Sequence, residues 1–134
     1  MGEVCTGPNT TLAPPALARW TRKPRRQRGA ILTTDNTSAL RGQAHFSGFA
    51  PTKAAQRILA ETIARELGPR SVPVAYVVID AVIDLSETRE RWLAQPDPFF
   101  IKPSSIAEKI WPVVHQPRDA WLFNVELRPF GETW

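Results

Sequence analysis

Two β-branched runs on either side of a long helical pattern restrict the fold of this chain more than any other feature. Residues 30–34 and 72–79 are apolar and rich in Ile, Val and Thr, which is typical of buried strands. Between them, residues 50–67 place apolar side chains at spacings of one, three and four, the period of a helix. Strand, helix and strand in this order predict two parallel strands joined by a right-handed crossover.

Residues that favour a helix start and stop mark the ends of the predicted helix. Pro51 suits the first turn of a helix. Gly68 and Pro69 predict the stop, because glycine tolerates the left-handed conformation that follows many helices and proline cannot continue one. We expect the apolar stripe of this helix to face a sheet. Its members are Ala54, Ala55, Ile58, Leu59, Thr62, Ile63 and Leu67.

Two further elements complete the prediction of an α/β fold. Residues 103–114 have helical spacing, and residues 121–127 read as a last strand. The run 72–79 is apolar on both faces of a strand, which is typical of a parallel sheet covered on both sides. We therefore predict that residues 30–34, 72–79 and 121–127 form adjacent parallel strands.

Residues 1–28 differ from the rest of the chain in charge and in proline content. The six basic residues of this segment are Arg19, Arg22, Lys23, Arg25, Arg26 and Arg28. Removing these six from a formal net charge of +4 leaves a net charge of −2. We interpret residues 1–28 as a basic, poorly ordered lead-in and residues 29–134 as the folded domain. The cluster is better explained as a solvated linker than as a phosphate-binding arm, and nothing around it indicates nucleic-acid recognition.

Several other kinds of site and location lack support in the sequence. Cys5 is the only cysteine, so no intrachain disulfide or cysteine-based metal site can form. No cluster of Asp, Glu and His has metal-ligand spacing, and His45 and His115 are predicted to be surface or structural residues. We expect no metal and no membrane span, since the apolar runs are too short for a bilayer. No secretion signal is recognisable, so we expect a cytoplasmic protein.

Short motifs from residue 29 onward resemble, in order, the second half of the short-chain dehydrogenases/reductases. They are Gly-Ala-Ile-Leu-Thr-Thr at 29–34, Ser-Ala-Leu-Arg-Gly at 38–42, Phe-Ala-Pro-Thr-Lys-Ala-Ala at 49–55 and Ala-Arg-Glu-Leu-Gly-Pro at 64–69. Segments 78–84, 116–121 and 126–130 resemble an atypical branch of the family. The resemblance implies the C-terminal half of a doubly wound, Rossmann-like parallel sheet with a long crossover helix, as in an atypical, truncated member.

The resemblance also implies an activity, namely NAD- or NADP-linked hydride transfer to or from a carbonyl or alcohol. In the family a tyrosine transfers the proton, and a lysine four residues later on the same helical face binds the nicotinamide ribose. Lys53 matches the lysine, and Phe49 stands at the tyrosine position. Asn36 stands at or near the serine that binds the substrate oxygen. Taken by itself, a lysine such as Lys53 is more often a solvated helix charge than a catalytic residue, and only within the family match are the two interpretations balanced.

The chain departs from the family pattern in its proton donor and in its cofactor contacts. Phe49 has no hydroxyl, and general acid–base catalysis is typically worth ~10²–10⁴-fold in rate. Asp80 stands where the family has the proline of a Pro-Gly pair, Ile83 where a backbone contacts the nicotinamide amide, and Leu85 where a threonine lies near the phosphates. The printed sequence contains no Gly-rich nucleotide fingerprint. Tyr76 lies in a predicted buried strand and is not expected to replace the missing tyrosine.

Two functions remain open from the sequence. The first is an oxidoreductase of this family that is impaired by Phe49 and by the absence of the Gly-rich half. A complementing N-terminal half from another chain would supply the Gly-rich turn. Its substrate would be a small-molecule carbonyl or alcohol. The second is a non-catalytic remnant or interaction module that self-associates into a homo-oligomer through an exposed strand edge or through the long helix.

Overall fold

A computed structural model describes residues 29–131 of the chain. The basic lead-in at residues 1–28 and the last three residues lie outside the described residues. In chain order the strands are β1 (Ile31–Asp35), β2 (Val74–Ile79), β3 (Val82–Ile83), β4 (Phe100–Ile101) and β5 (Asn124–Leu127). The helices are α1 (Phe49–Leu67), α2 (Ser86–Arg91) and α3 (Pro103–Val114).

The main sheet has the order β1-β2-β5, and both pairs are parallel. Thr33 of β1 lies opposite Tyr76 of β2, and Tyr76 lies opposite Asn124 of β5. These three strands and the crossover helix confirm the predicted α/β fold and its strand adjacency. The predicted element boundaries are correct to within three residues.

The prediction of which face of α1 meets the sheet is correct only in part. Ala50, Ala60 and Leu67 are the buried residues of the helix, and α1 packs on β2. Ile58 and Leu59, from the predicted stripe, are 57% and 60% exposed. Apolar residues occur on two faces of α1, so the helical period alone does not decide which face meets the sheet. Of the predicted stripe, Leu67 is buried, whereas Ile58 and Leu59 lie on the exposed side of the helix.

The predicted last residue of α1 is correct, but the backbone conformation after it differs from the prediction. The helix ends at Leu67, and Gly68 keeps a right-handed φ of −53° rather than a left-handed one. The chain continues as a 3₁₀ turn over Gly68–Arg70, and Ser71 adopts the left-handed conformation at φ 62°. A Cβ on Gly68 would meet nothing within 4 Å, so the fold does not require glycine there.

The core of the sheet is built on β2, whose first five residues are all buried. Tyr76 and Val78 pack with Ala39 and Ala60 in one cluster, against which Phe123 also packs. Burial on both faces of β2 confirms the covered parallel strand that its apolar run predicted.

A second, two-stranded parallel sheet pairs β3 with β4, with α2 between them in the chain. Arg89 on α2 pairs with Asp84 and with Asp97, and its guanidinium lies 4.0 Å from the centroid of the Phe100 ring. These contacts hold the short helix against its own strands. Among residues 29–131, no helix combines the length and the hydropathy needed to cross a bilayer.

Because Ile58 and Leu59 are adjacent, exposed and apolar, we expect the chain to self-associate through α1 at raised concentration. Leu59→Glu should shift the sedimentation coefficient towards the monomer, since a charge is costly to bury in an apolar contact. Leu93→Glu is the matched control, because Leu93 is also exposed but lies outside α1. A monomeric wild-type chain at high concentration would contradict this expectation.

Candidate functional site

The polar residues of the candidate site lie at the carboxyl ends of β1 and β2. Asp35 is the last residue of β1, and Asn36 follows it. Asp80 follows the last residue of β2. The carboxyl ends of parallel strands lie at one edge of the sheet, which is where open α/β sheets bind ligands.

Asp35 is the centre of a buried polar cluster. Its side chain is 0% exposed, and the ammonium Nζ of Lys53 lies 3.1 Å from its Oδ1. The hydroxyl of Tyr76 donates to Oδ2 at 2.7 Å. The backbone N–H of Asn36 donates to Oδ1 at 2.9 Å. A buried carboxylate is tolerated when it is paired with a cation and hydrogen-bonded, and Asp35 has both kinds of partner.

Lys53 and Phe49 lie one helical turn apart on α1, as their spacing predicted. The Lys53 side chain is 26% exposed, and its Nζ lies 5.5 Å from the centroid of the Phe49 ring. Nζ also donates to Oε1 of Gln56 at 3.5 Å. Lys53 is therefore an ion-paired residue of the site and not a solvated helix charge. Phe49 is 44% exposed and packs edge-to-face on Phe46.

Asn36 has a local structural role at the edge of the sheet. Its side-chain Oδ1 accepts a hydrogen bond from the backbone N–H of Ser38 at 2.9 Å. This bond caps the 3₁₀ turn Thr37–Ala39 that follows β1. The amide oxygen of Asn36 is thus already engaged.

Asp80 is held to the same turn by hydroxyl and cationic partners. The Thr37 hydroxyl donates to Oδ1 of Asp80 at 3.0 Å, and a guanidinium nitrogen of Arg41 lies 3.7 Å from Oδ2. Ile83 lies in the second sheet, and its backbone carbonyl accepts from the Thr88 hydroxyl. The structure therefore brings Lys53, Phe49 and Asn36 to one edge with Asp80 beside them, and it places Ile83 on a separate element.

Asp35 and Tyr76 are the two residues of this cluster that sequence reasoning missed. The sequence did contain a clue to the role of Asp35, because an acidic side chain at the end of a predicted buried strand needs a cationic or hydrogen-bonding partner. Tyr76 is the one side chain of the buried run 72–79 with a hydroxyl, which also needs a partner. Their mutual contact joins residues 41 positions apart, so only the strand register reveals it.

Two open cavities lie near these elements. One of about 410 Å³ borders the turn after β1 and the start of α1, and its lining includes Ser38, Arg41, Phe46 and Ala50. Another of about 690 Å³ lies beyond the carboxyl end of β5 and is lined by Lys102, Lys109 and Phe130 among others. Within residues 29–131, no group of three or more His, Cys, Asp or Glu side chains is arranged to hold a metal ion.

Comparisons with known proteins show the fold through solved structures and not through sequence families. No protein-family model matches the sequence, and no curated protein matches it either. Among solved structures, a short-chain dehydrogenase from Rhodopseudomonas palustris is similar at 32% sequence identity, with a TM-score of 0.58 over 77% of this chain. The described residues have the fold of a short-chain dehydrogenase/reductase. The family resemblance and the Rossmann-like fold predicted from the sequence are confirmed.

Two further dehydrogenase/reductase structures share the fold and were solved with nucleotides. An alcohol dehydrogenase from the archaeon Thermococcus sibiricus, complexed with 5-hydroxy-NADP, is 24% identical, with a TM-score of 0.61 over 78% of this chain. An NADPH-bound short chain oxidoreductase from Pseudomonas aeruginosa, which contains an atypical catalytic center, is 18% identical, with a TM-score of 0.61 over 77%. This chain spans 39%, 43% and 46% of the three solved chains, respectively.

The burial of Tyr76 and its contact with Asp35 predict that the stability of this fold changes at high pH. Burial, followed by the hydrogen bond and the negative charge of Asp35, raises the pKa of the Tyr76 phenol well above its usual range. The unfolded chain releases this proton near pH 10, whereas the folded chain retains it. The stabilising contribution is therefore complete below about pH 10 and is lost as the pH rises from there through the folded-state pKa.

We expect phenolate absorbance to appear well above pH 10 in the folded chain, together with loss of the native circular dichroism spectrum. The phenolate absorbance can be assigned to Tyr76, because the chain contains one tyrosine. The chain unfolded in guanidinium is the control and should titrate near pH 10, as an exposed phenol does. Reversible phenolate formation near pH 10 in the folded chain would show that Tyr76 is not held by Asp35.

Proposed function

We propose that this chain provides the nicotinamide and substrate side of an NAD(P)-linked oxidoreductase that acts on a carbonyl or alcohol. One observation carries the proposal. The ammonium of Lys53 is held by Asp35 at the carboxyl edge of the sheet, one helical turn after Phe49. In short-chain dehydrogenases/reductases this edge and this helical spacing belong to the catalytic lysine and tyrosine.

The residues of the site fit one part of a dinucleotide better than the other. The Lys53 ammonium has three donors, and its contacts with Asp35 and Gln56 leave one for a ribose hydroxyl. Leu85, at the position near the phosphates, has no hydroxyl to donate. The nicotinamide would supply the hydride, and the residues of this chain would bind its ribose and orient the substrate. The pyrophosphate and the adenosine would need a complementing N-terminal half with a Gly-rich turn.

Proton transfer is the step that these residues support least. Phe49 presents an aromatic ring and no hydroxyl beside Lys53. The Tyr76 hydroxyl is fully buried and already donates to Asp35, so it does not replace the phenol of the family. We therefore propose that carbonyl reduction by this chain is impaired both in chemistry and in nucleotide binding.

A tyrosine at residue 49 should restore the missing proton donor but not the binding of the nucleotide. In the 134-residue chain, Phe49→Tyr should leave carbonyl reduction undetectable, because nucleotide binding stays weak. In a fusion with a complete nucleotide-binding half from a solved relative, Phe49→Tyr should raise the rate of NAD(P)H oxidation by ~10² or more. The measurement is NADPH absorbance with a panel of aldehydes and ketones.

Phe46→Tyr is the matched control for that fusion. Its ring contacts Phe49 at 5.5 Å between centroids, so it adds the same hydroxyl close by but seven residues before Lys53 instead of four. This control should not raise the rate. NAD(P)H oxidation by the unmodified 134-residue chain, retained after removal of contaminants and lost in Lys53→Ala, would overturn the proposal of an impaired enzyme.

The exposed face of α1 favours a second candidate function. Ile58 and Leu59 form an apolar patch that the described part of the fold does not cover. A non-catalytic module that self-associates through α1 would bury this patch. The sedimentation experiment with Leu59→Glu supports this candidate if association is present and NADH and NADPH leave the protein fluorescence unchanged.

A further inference from the structure

The carboxylate of Asp35 collects donors from three different elements of the fold. Lys53 reaches it from α1, Tyr76 from β2, and the N–H of Asn36 from the turn after β1. None of the roles implied by the family resemblance falls on Asp35 or on Tyr76. Such a cluster determines where the ammonium of Lys53 lies.

We propose that Asp35 is the positioning residue of Lys53, and that Tyr76 in turn fixes Asp35. Taking a carboxylate out of water is costly unless a cation and hydrogen bonds replace the lost solvation. Lys53 is the cation that pairs with Asp35, at 3.1 Å. Asp35 holds Lys53 at the edge, and the burial of Asp35 makes that placement obligatory.

The hydrogen bonds fix the orientation of the carboxylate as well as its position. Oδ1 accepts from both Lys53 and the Asn36 N–H, and Oδ2 accepts from the Tyr76 hydroxyl. Since both oxygens are engaged, the carboxylate cannot rotate without breaking a buried bond. A fixed Oδ1 limits the ammonium of Lys53 to one direction of approach. Lys53 is therefore pre-oriented before any ligand arrives.

Other charges surround the cluster but do not replace its members. Arg57 on α1 is close enough to lower the pKa of the Tyr76 phenol slightly against the larger effects of burial and Asp35. Asp80 and Arg41 pair with each other at the edge of the sheet. The charge of Lys53 is thus matched directly by Asp35.

The test of positioning is the lysine ammonium signal in ¹H–¹⁵N NMR spectra. An ammonium held in a half-buried ion pair exchanges its protons slowly, so Lys53 should give a visible NζH₃ signal in the full chain. Asp35→Asn should abolish this signal. Tyr76→Phe should preserve it at a shifted position, because Asp35 loses one partner but keeps its charge.

Glu61→Gln is the matched control for Asp35→Asn. Glu61 is also a carboxylate contacted by α1 side chains, but it pairs with Arg57 and Arg65 and not with Lys53. This variant should leave the Lys53 signal unchanged. A Lys53 signal that is the same in Asp35→Asn as in the unmodified chain would overturn the proposal.

Thermal unfolding provides an independent check when a single variant is too unstable for NMR. Lys53→Met leaves Asp35 buried without its cation and should lower Tm by ~10 °C or more. The double variant Asp35→Asn, Lys53→Met removes both charges and should recover most of that loss. Strictly additive effects of the two changes would mean that the residues are not coupled, and would contradict the proposal.

The consequence for nucleotide binding rests on the proposed function and is tested separately. If the full chain binds NADPH, Asp35→Asn should weaken binding about tenfold, the size of a typical coupling between contacting residues. A chain that binds no NADPH, but loses the Lys53 signal in Asp35→Asn, would refute the proposed function and still support positioning. Unchanged NADPH affinity together with an unchanged Lys53 signal would refute positioning alone.

Discussion

The parallel pairing of β1 with β2 is the constraint on which the rest of the structure depends. Parallel strands cannot be joined by a tight turn, so the chain must cross over the sheet before it pairs again. The helix α1 makes this crossover and packs on β2. Because a crossover helix runs opposite to its strands, its first turn lies near the carboxyl end of β1. This geometry brings Lys53 to Asp35, with Phe49 one helical turn earlier beside Lys53.

The buried charge of Asp35 connects this topology to chemistry. A buried carboxylate at the end of β1 would destabilise the fold if its neighbours were all apolar. The strand register places Tyr76 within hydrogen-bonding distance, and the crossover places Lys53 there. The same three residues therefore stabilise the edge of the sheet and define the ammonium that a ribose would meet. Phe49, beside them, has no hydroxyl, so the proposed hydride transfer would lack the proton donor of the family.

The sequence predicted the long elements correctly because their hydrophobic period extends over many residues. It did not predict β3 and β4, since two-residue strands carry no period that can be recognised. The face of α1 was predicted only in part, because Ala, Ile and Leu all count as apolar in a helical stripe, whereas packing on the sheet buries Ala50, Ala60 and Leu67 and leaves Ile58 exposed. The shared helical face of Lys53 and Phe49 followed from their spacing of four residues. The pairing of Lys53 with Asp35 did not, because that pair forms only when α1 folds back on the strand.

We propose that a nicotinamide nucleotide binds this chain at the carboxyl edge of β1 and β2, through Lys53. Titration of the ¹⁵N-labelled chain with NADPH, followed by backbone amide shifts, is the decisive measurement. We expect the largest shifts on the amides of Asn36, Lys53 and Asp80. Shifts confined to the cavity that contains Lys102 and Lys109, or no shifts at millimolar NADPH, would contradict it.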